Sequence, residues 1–233
     1  QGVIEDFQLL FYIIQPPTPE RVKYDIFDRV NRGGTPLNKQ EMRNALYRGR
    51  CTRMLDKLCC SPEFLIATGR SINKERMKDQ YVVLRAMAFL MLHRGEFKDI
   101  PALQYRGDID DFLARFMVYV NDNAPEKLIV DYENLFIRCM QISYDLLGEN
   151  GFRFSGNGIR RPINMPLFEA LSYLFSFVPE KIDYTWASRL ILDIESVKEE
   201  FDDSRYFSGN IDSTTSVSFR FDRMDKIINR IQL

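Results

Sequence analysis

Residues 7–15 read FQLLFYIIQ, a run dominated by apolar, aromatic and β-branched side chains that Pro16 and Pro17 stop. Such a run is a buried-strand signature rather than a helical one. A lone strand leaves its backbone donors and acceptors unpaired, so it requires sheet partners. The rest of the chain offers no second convincing strand. The partners are therefore expected upstream of Gln1 or on a second chain, and this one reads as cut from something larger.

Helical patterns dominate everything after that run. Thr18 suits an N-cap, with Pro19 at the first helical position and Glu20 near the positive end of the dipole. Val22, Ile26, Phe27 and Val30 share one face of this helix, and Arg32-Gly33-Gly34 ends it. Asn38 caps the next helix, Glu41 completes a capping box, and Leu37 and Met42 flank the cap as a hydrophobic staple. Gly49 closes it. Further helices are expected at 52–60, 77–93, 109–121, 125–147, 165–177, 184–201 and 219–231. The glycine- and serine-bearing segments 148–158 and 204–215 are expected as exposed loops. The fold class that follows is mainly α, with one N-terminal β-strand left from a larger sheet and then a multi-helix bundle. The expected division falls at residue 50, between strand plus helical hairpin (1–50) and a helical domain (51–233).

Composition narrows the function classes. Formal net charge is −1, so no global attraction to nucleic acid exists, but the charge is unevenly spread. Residues 20–53 hold nine bases against four acids, whereas 193–203 hold six acids against Lys198 alone. Both runs also suit solvated helix faces. The four cysteines form no C-x-x-C spacing and read as reduced, buried thiols. With His93 the only histidine, a zinc cluster is not expected. No signal peptide or membrane-length apolar run is present, which points to the cytoplasm.

The densest polar segment is YDIFDRVNRGGTPLNKQEMRNALYRG at 24–49. Its glycines permit close backbone approach, the helix start at Asn38 offers N–H groups to a phosphate, and arginines add planar donors. The candidate phosphate-binding residues are Asn31, Arg32, Gly33, Gly34, Asn38, Arg43 and Arg48. The Asp28 carboxylate is the candidate metal ligand. Taken alone, the same residues suit a well-capped helical hairpin with solvated arginines better than a phosphate site.

This segment resembles the signature F-D/E-x-L/I/V-N-x-x-G-x-x-L-N/S-x-x-E-x-R-N/H of the GmrSD restriction endonuclease N-terminal-domain family. Downstream, KERMKDQYVVLRAMAFLML at 74–92 and INMPLFEALSYLF at 163–175 resemble two later helices of that family. The resemblance implies a ParB/sulfiredoxin-like sheet ahead of the helices and a place in prokaryotic defence against modified or foreign DNA. It also implies a nucleoside triphosphate with Mg2+ in the complete protein, though none for this chain alone, and DNA as a partner. More distantly, residues 28–32 resemble the Glu-Asn-x-x-Arg box of ParB proteins, which would put Asp28 on the metal side and Asn31 and Arg32 on the phosphate side. Two departures stand out. The family's upstream DGQQR motif is absent from this sequence, and one histidine cannot supply an HNH nuclease cluster. No complete catalytic site is expected here. The alternative to this reading is a non-enzymatic helical scaffold for protein–protein contacts, with oligomerisation left open.

Smaller signals remain. Arg153, Arg160 and Arg161, beside Phe152 and Phe154, are candidate DNA contacts through charge and stacking. His93 stands at a helix end, where a charged ring would suit the dipole. Asp108, Asp110 and Asp111 read as acids stabilising a helix start. Trp186 reads as a core or interface residue.

Overall fold

The computed structural model describes residues 36–155, 160–181 and 183–231, with a few isolated positions before residue 36. The expected strand at 7–15, apart from Ile13 and Gln15, lies outside the described residues, as does the glycine turn at 33–34. Among the described residues every regular element is helical.

The helices are α1 (Lys39–Leu46), α2 (Arg50–Cys59), α3 (Pro62–Ala67), α4 (Lys78–His93), α5 (Ile109–Asp122), α6 (Glu126–Leu147), α7 (Met165–Phe175), α8 (Tyr184–Asp202) and α9 (Thr214–Ile231). Local chemistry fixes many of their starts. The Asn38 side chain accepts from the Gln40 and Glu41 amides at 2.8 and 2.9 Å, while the Glu41 carboxylate accepts from the Asn38 amide at 2.6 Å. The expected capping box is therefore present. Side chains of Ser61, Asp108, Asn164 and Asp183 cap α3, α5, α7 and α8 in the same manner.

The start of α2 is capped from a distance instead. Asn121 accepts from the Cys51 amide and donates to the Tyr47 carbonyl, both at 2.9 Å. A Cβ at Gly49 would stand 2.5 Å from the Asn121 amide oxygen, so only glycine lets that side chain reach the helix end.

Helices α4 and α7 form the centre. From Val82 to Met91 every α4 residue is buried, and α7 is buried from Pro166 to Phe175. A helix that is apolar all round is expected at the middle of a bundle rather than on its surface. The two pack on each other, α9 packs against α7, and α3 packs against α6. Phe168 of α7 meets Phe64 of α3 edge-on and Phe136 of α6 at a tilt, with centroids 6.2 and 6.3 Å away. Truncating such a ring to alanine costs about 3–5 kcal/mol.

Several sequence expectations need correcting. The segment at 148–158 was expected as exposed loop, yet Gly151, Phe152, Arg153 and Phe154 are buried. Phe152 is the reason, since its ring lies 4.3 Å from that of Phe168 and fills the core beside α7. Helix α3 was not anticipated, although Ser61 and Pro62 carry an N-cap and first-turn proline. Helix α9 starts five residues before the expected 219, where Ser213 and Ser216 bond one another at 2.8 Å.

Candidate functional site

The three stretches that carry the family resemblance meet through their polar residues. Arg76, from the second stretch, donates to Glu41 at 2.9 Å and to the Pro36 carbonyl at 2.6 Å. Asn38 returns a bond of 2.7 Å to the Arg76 carbonyl, and Asn44 donates to Gln80. Arg76 and Met77 both adopt positive φ, 56° and 58°, a costly backbone for non-glycine residues that these bonds hold in place. The Arg76 bond and the Asn38 amide keep the Glu41 carboxyl below its ordinary value.

The second and third stretches meet deeper in the bundle. Arg85 of α4 and Arg220 of α9 both donate to Glu169 of α7, and all three side chains are fully enclosed. Arg85 also reaches Asp212 at 2.7 Å and the Tyr81 hydroxyl at 3.1 Å, while Arg220 reaches the Ile211 carbonyl at 2.7 Å. Burial opposes the charge on Arg85. Glu169 and Asp212 outweigh it and hold the guanidinium well above its ordinary value.

The candidate residues of the hairpin divide accordingly. Asp28, Asn31, Arg32, Gly33 and Gly34 lie outside the described residues. The Asn38 side chain caps its own helix and so takes up the Gln40 and Glu41 amides. Arg43 is 1% exposed, bonded to Asp110 at 2.8 Å and to Gln40 at 3.1 Å. Arg48 is exposed. Among the described residues of the hairpin, the Gln40 and Glu41 amides and the buried Arg43 therefore have partners within the protein, and Arg48 faces solvent. Asp110 is desolvated, but its bonds to Lys39 and Arg43 prevail and lower its pKa. Asp108 serves as N-cap and Asp111 pairs with Arg115.

The downstream arginines come together. Arg153, Arg160 and Arg161 line one pocket of ≈ 670 Å³ with Phe154, Glu149, Glu195 and Lys198. Arg153 is 4% exposed and bonds the carbonyls of Thr68, Glu149 and Arg161 and the hydroxyl of Ser71. Arg160 pairs with Glu149 at 2.7 Å, Arg161 with Asp202, and Lys198 with Glu195 at 2.8 Å. Arg161 also covers the Phe154 ring, 5.4 Å from its centroid. Burial and the nearby Arg160 charge pull Arg153 below its ordinary value. A larger cleft of ≈ 910 Å³ runs along α5, but Asp25, Asp108, Asp110 and Asp111 line it and make it unattractive to phosphate.

Burial also decides the state of His93 and of three cysteines, whereas Cys60, expected to be buried, is exposed. His93 stacks on Phe221 with centroids 3.6 Å apart, and burial beside Arg220 lowers its pKa to about 3. The ring is therefore neutral, contrary to the expected charged cap on the helix dipole. Burial raises the Cys139 thiol to about 12 and pushes Cys51 and Cys59 up as well, so these thiols stay protonated. Among the described residues no group of three or more His, Cys, Asp or Glu is arranged to hold a metal, and no helix is long and apolar enough to cross a membrane.

Sequence reasoning missed Lys198, Glu149 and Glu195. Lys198 was visible only as the one base in an acidic run, which hides its burial. What the fold and pocket define is a mainly helical protein with a recessed cationic cavity. Comparison with family models, with curated proteins and with solved structures finds no match in any of the three.

Proposed function

We propose that the chain is the helical part of a GmrSD-like prokaryotic defence protein, contributing part of a nucleotide- or DNA-responsive site. One observation supports this reading most. The three stretches that resemble the family are joined to each other by ion pairs, Glu41 with Arg76 and Arg85 with Glu169. Polar residues at those positions then make sense as joints of one frame. In this reading the nucleoside triphosphate and Mg2+ are met by Asp28, Asn31 and Arg32 together with an upstream sheet, and α1 supplies the rigid support behind them.

The test is calorimetry on a longer protein that includes the upstream sheet. Mg2+-dependent nucleoside triphosphate binding that weakens on Asn31→Ala or Arg32→Ala should appear there and not in residues 1–233. Unchanged affinity in both variants would defeat the proposal. A helical scaffold for partner proteins is the second reading. It draws on α8, which leaves Tyr184 88% and Leu192 72% exposed. It expects no nucleotide affinity in any length of the protein, and a partner whose binding Leu192→Asp abolishes.

A further inference from the structure

We propose that the pocket between residues 149–155, Arg160, Arg161 and α8 is a binding site for a phosphate monoester. The charge of the lining points there independently of any family resemblance. Four cations line the cavity, Arg153, Arg160, Arg161 and Lys198, against two carboxylates, Glu149 and Glu195. The lining therefore carries a surplus of two positive charges, of which Asp202 offsets one through its pair with Arg161. A phosphate monoester brings about −1.5 to −2 at neutral pH, which the lining matches once the exposed Glu149 swings away from Arg160.

Donor supply agrees with charge. Among the described residues, Arg160 donates from Nη2 to Glu149 and Arg161 from Nη1 to Ser155 and Asp202. A guanidinium has five N–H donors, so several on each remain for oxygens of a ligand. Lys198 uses its ammonium on Glu195 and, at 3.4 Å, on the Asn150 carbonyl, which leaves a third donor. The pairs are also placed to yield. Arg160 is about half exposed and so is Glu149, and an exposed ion pair is weak enough for a dianion to replace.

Depth selects the kind of phosphate. Arg153 and Lys198 are 4% and 5% exposed, beyond the reach of a duplex backbone lying across the surface. A terminal monoester can enter, and the volume falls within the roughly 300–1,000 Å³ of small-ligand sites. Phe154 offers no stacking platform, because Arg161 covers its ring and Phe207 packs edge-on at 5.9 Å. Recognition is therefore of the phosphate, without preference among bases. The source is either a free nucleotide or the 5′ end of a strand.

Gly69 packs beside one ion pair of this lining. Its φ is +57°, and a Cβ there would fall on Arg160 Nη2 and 2.7 Å from Glu149 Oε2. The glycine lets the Arg160–Glu149 pair lie against the turn that follows α3.

The experiment is calorimetric titration of the 233-residue protein with inorganic phosphate, adenosine and guanosine 5′-monophosphates, adenosine, and a dinucleotide with or without a 5′-phosphate. Both monophosphates should bind alike, and adenosine should not bind. Arg160→Glu should weaken binding at least ~10-fold. Glu149→Gln should tighten it about threefold by releasing Arg160, a gain that damaged folding cannot imitate. Tighter binding of the 5′-phosphorylated dinucleotide than of the mononucleotides assigns the site to strand ends, and the reverse assigns it to free nucleotides. Absence of binding by every phosphate probe at millimolar concentration overturns the proposal. So does unchanged affinity in both variants, or adenosine binding as well as its monophosphate.

Discussion

Replacing Glu169 with glutamine removes one negative charge from between two enclosed guanidinium groups. In the native protein Arg85 and Arg220 both donate to this carboxylate, and no water-exposed route relieves either charge. Glutamine keeps the volume and one carbonyl acceptor, but its amide nitrogen faces a donor. Breaking one partner of a buried ionic group typically costs about 3–5 kcal/mol, because the remaining charge stays desolvated. Asp212 still neutralises Arg85 at 2.7 Å, which puts the expected cost toward the lower end of that range. For a chain of this size each kcal/mol shifts Tm by roughly 2–4 °C, so Glu169→Gln should lower Tm by about 6–12 °C. Circular dichroism melts and urea titrations at pH 7 give the number. A double-mutant cycle with Arg220→Met should show coupling above about 1 kcal/mol. A loss below 1 kcal/mol, or additive effects in the cycle, would refute the idea that this cluster joins α4, α7 and α9.

Three further outcomes follow from the same packing. Asn38→Ala should cost about 1 kcal/mol in urea unfolding, because it opens the cap on α1 and the bond to the Arg76 carbonyl. His93 gives a pH signature. Its folded pKa, about 3, lies below the ordinary 6.5, so the unfolded chain binds the extra proton between those values. Stability from this group is full above pH 6.5 and falls as pH drops toward 3, by at most about 1.4 kcal/mol per unit. His93→Leu should flatten that part of the stability–pH curve. Gly69→Ala should destabilise by about 1–2 kcal/mol through its left-handed backbone alone, and should also disturb the Arg160–Glu149 pair, seen as altered Arg160 side-chain resonances.

Legibility in the sequence tracks the range of the interaction. Asn38 and Glu41 sit three residues apart, so their capping box could be read directly, and the same holds for the helical stripe through Leu128, Tyr132, Phe136 and Cys139. Arg85, Glu169 and Arg220 are separated by dozens of residues, and nothing in their local patterns announces that they meet. The buried Phe152–Phe154 segment misled for a related reason: glycines and charges around it imitate a surface loop, while α7 receives the Phe152 ring and Phe207 packs on Phe154. The candidate site shows the same divide. Arg153, Arg160 and Arg161 could be chosen as a cluster because they are adjacent in sequence, whereas Lys198 arrives from α8 within a run whose charge points the other way. On α1, residue types suited to phosphate proved to have internal partners, a matter of tertiary contacts with Asp110 and Arg76 that composition cannot reveal. The strand expected at 7–15 lies, but for two positions, outside the described residues.

The central claim is a division of labour within residues 1–233, in which α1 and α4 form a rigid frame and a phosphate monoester is met at the pocket of Arg153, Arg160, Arg161 and Lys198. The most direct measurement is amide and arginine side-chain NMR of the 233-residue protein during titration with adenosine 5′-monophosphate. The account predicts saturable shifts at Glu149, Arg153, Arg160, Arg161 and Lys198, with Asn38, Arg43 and Arg48 silent. Shifts confined to Asn38–Arg48, with the pocket unmoved, would contradict it.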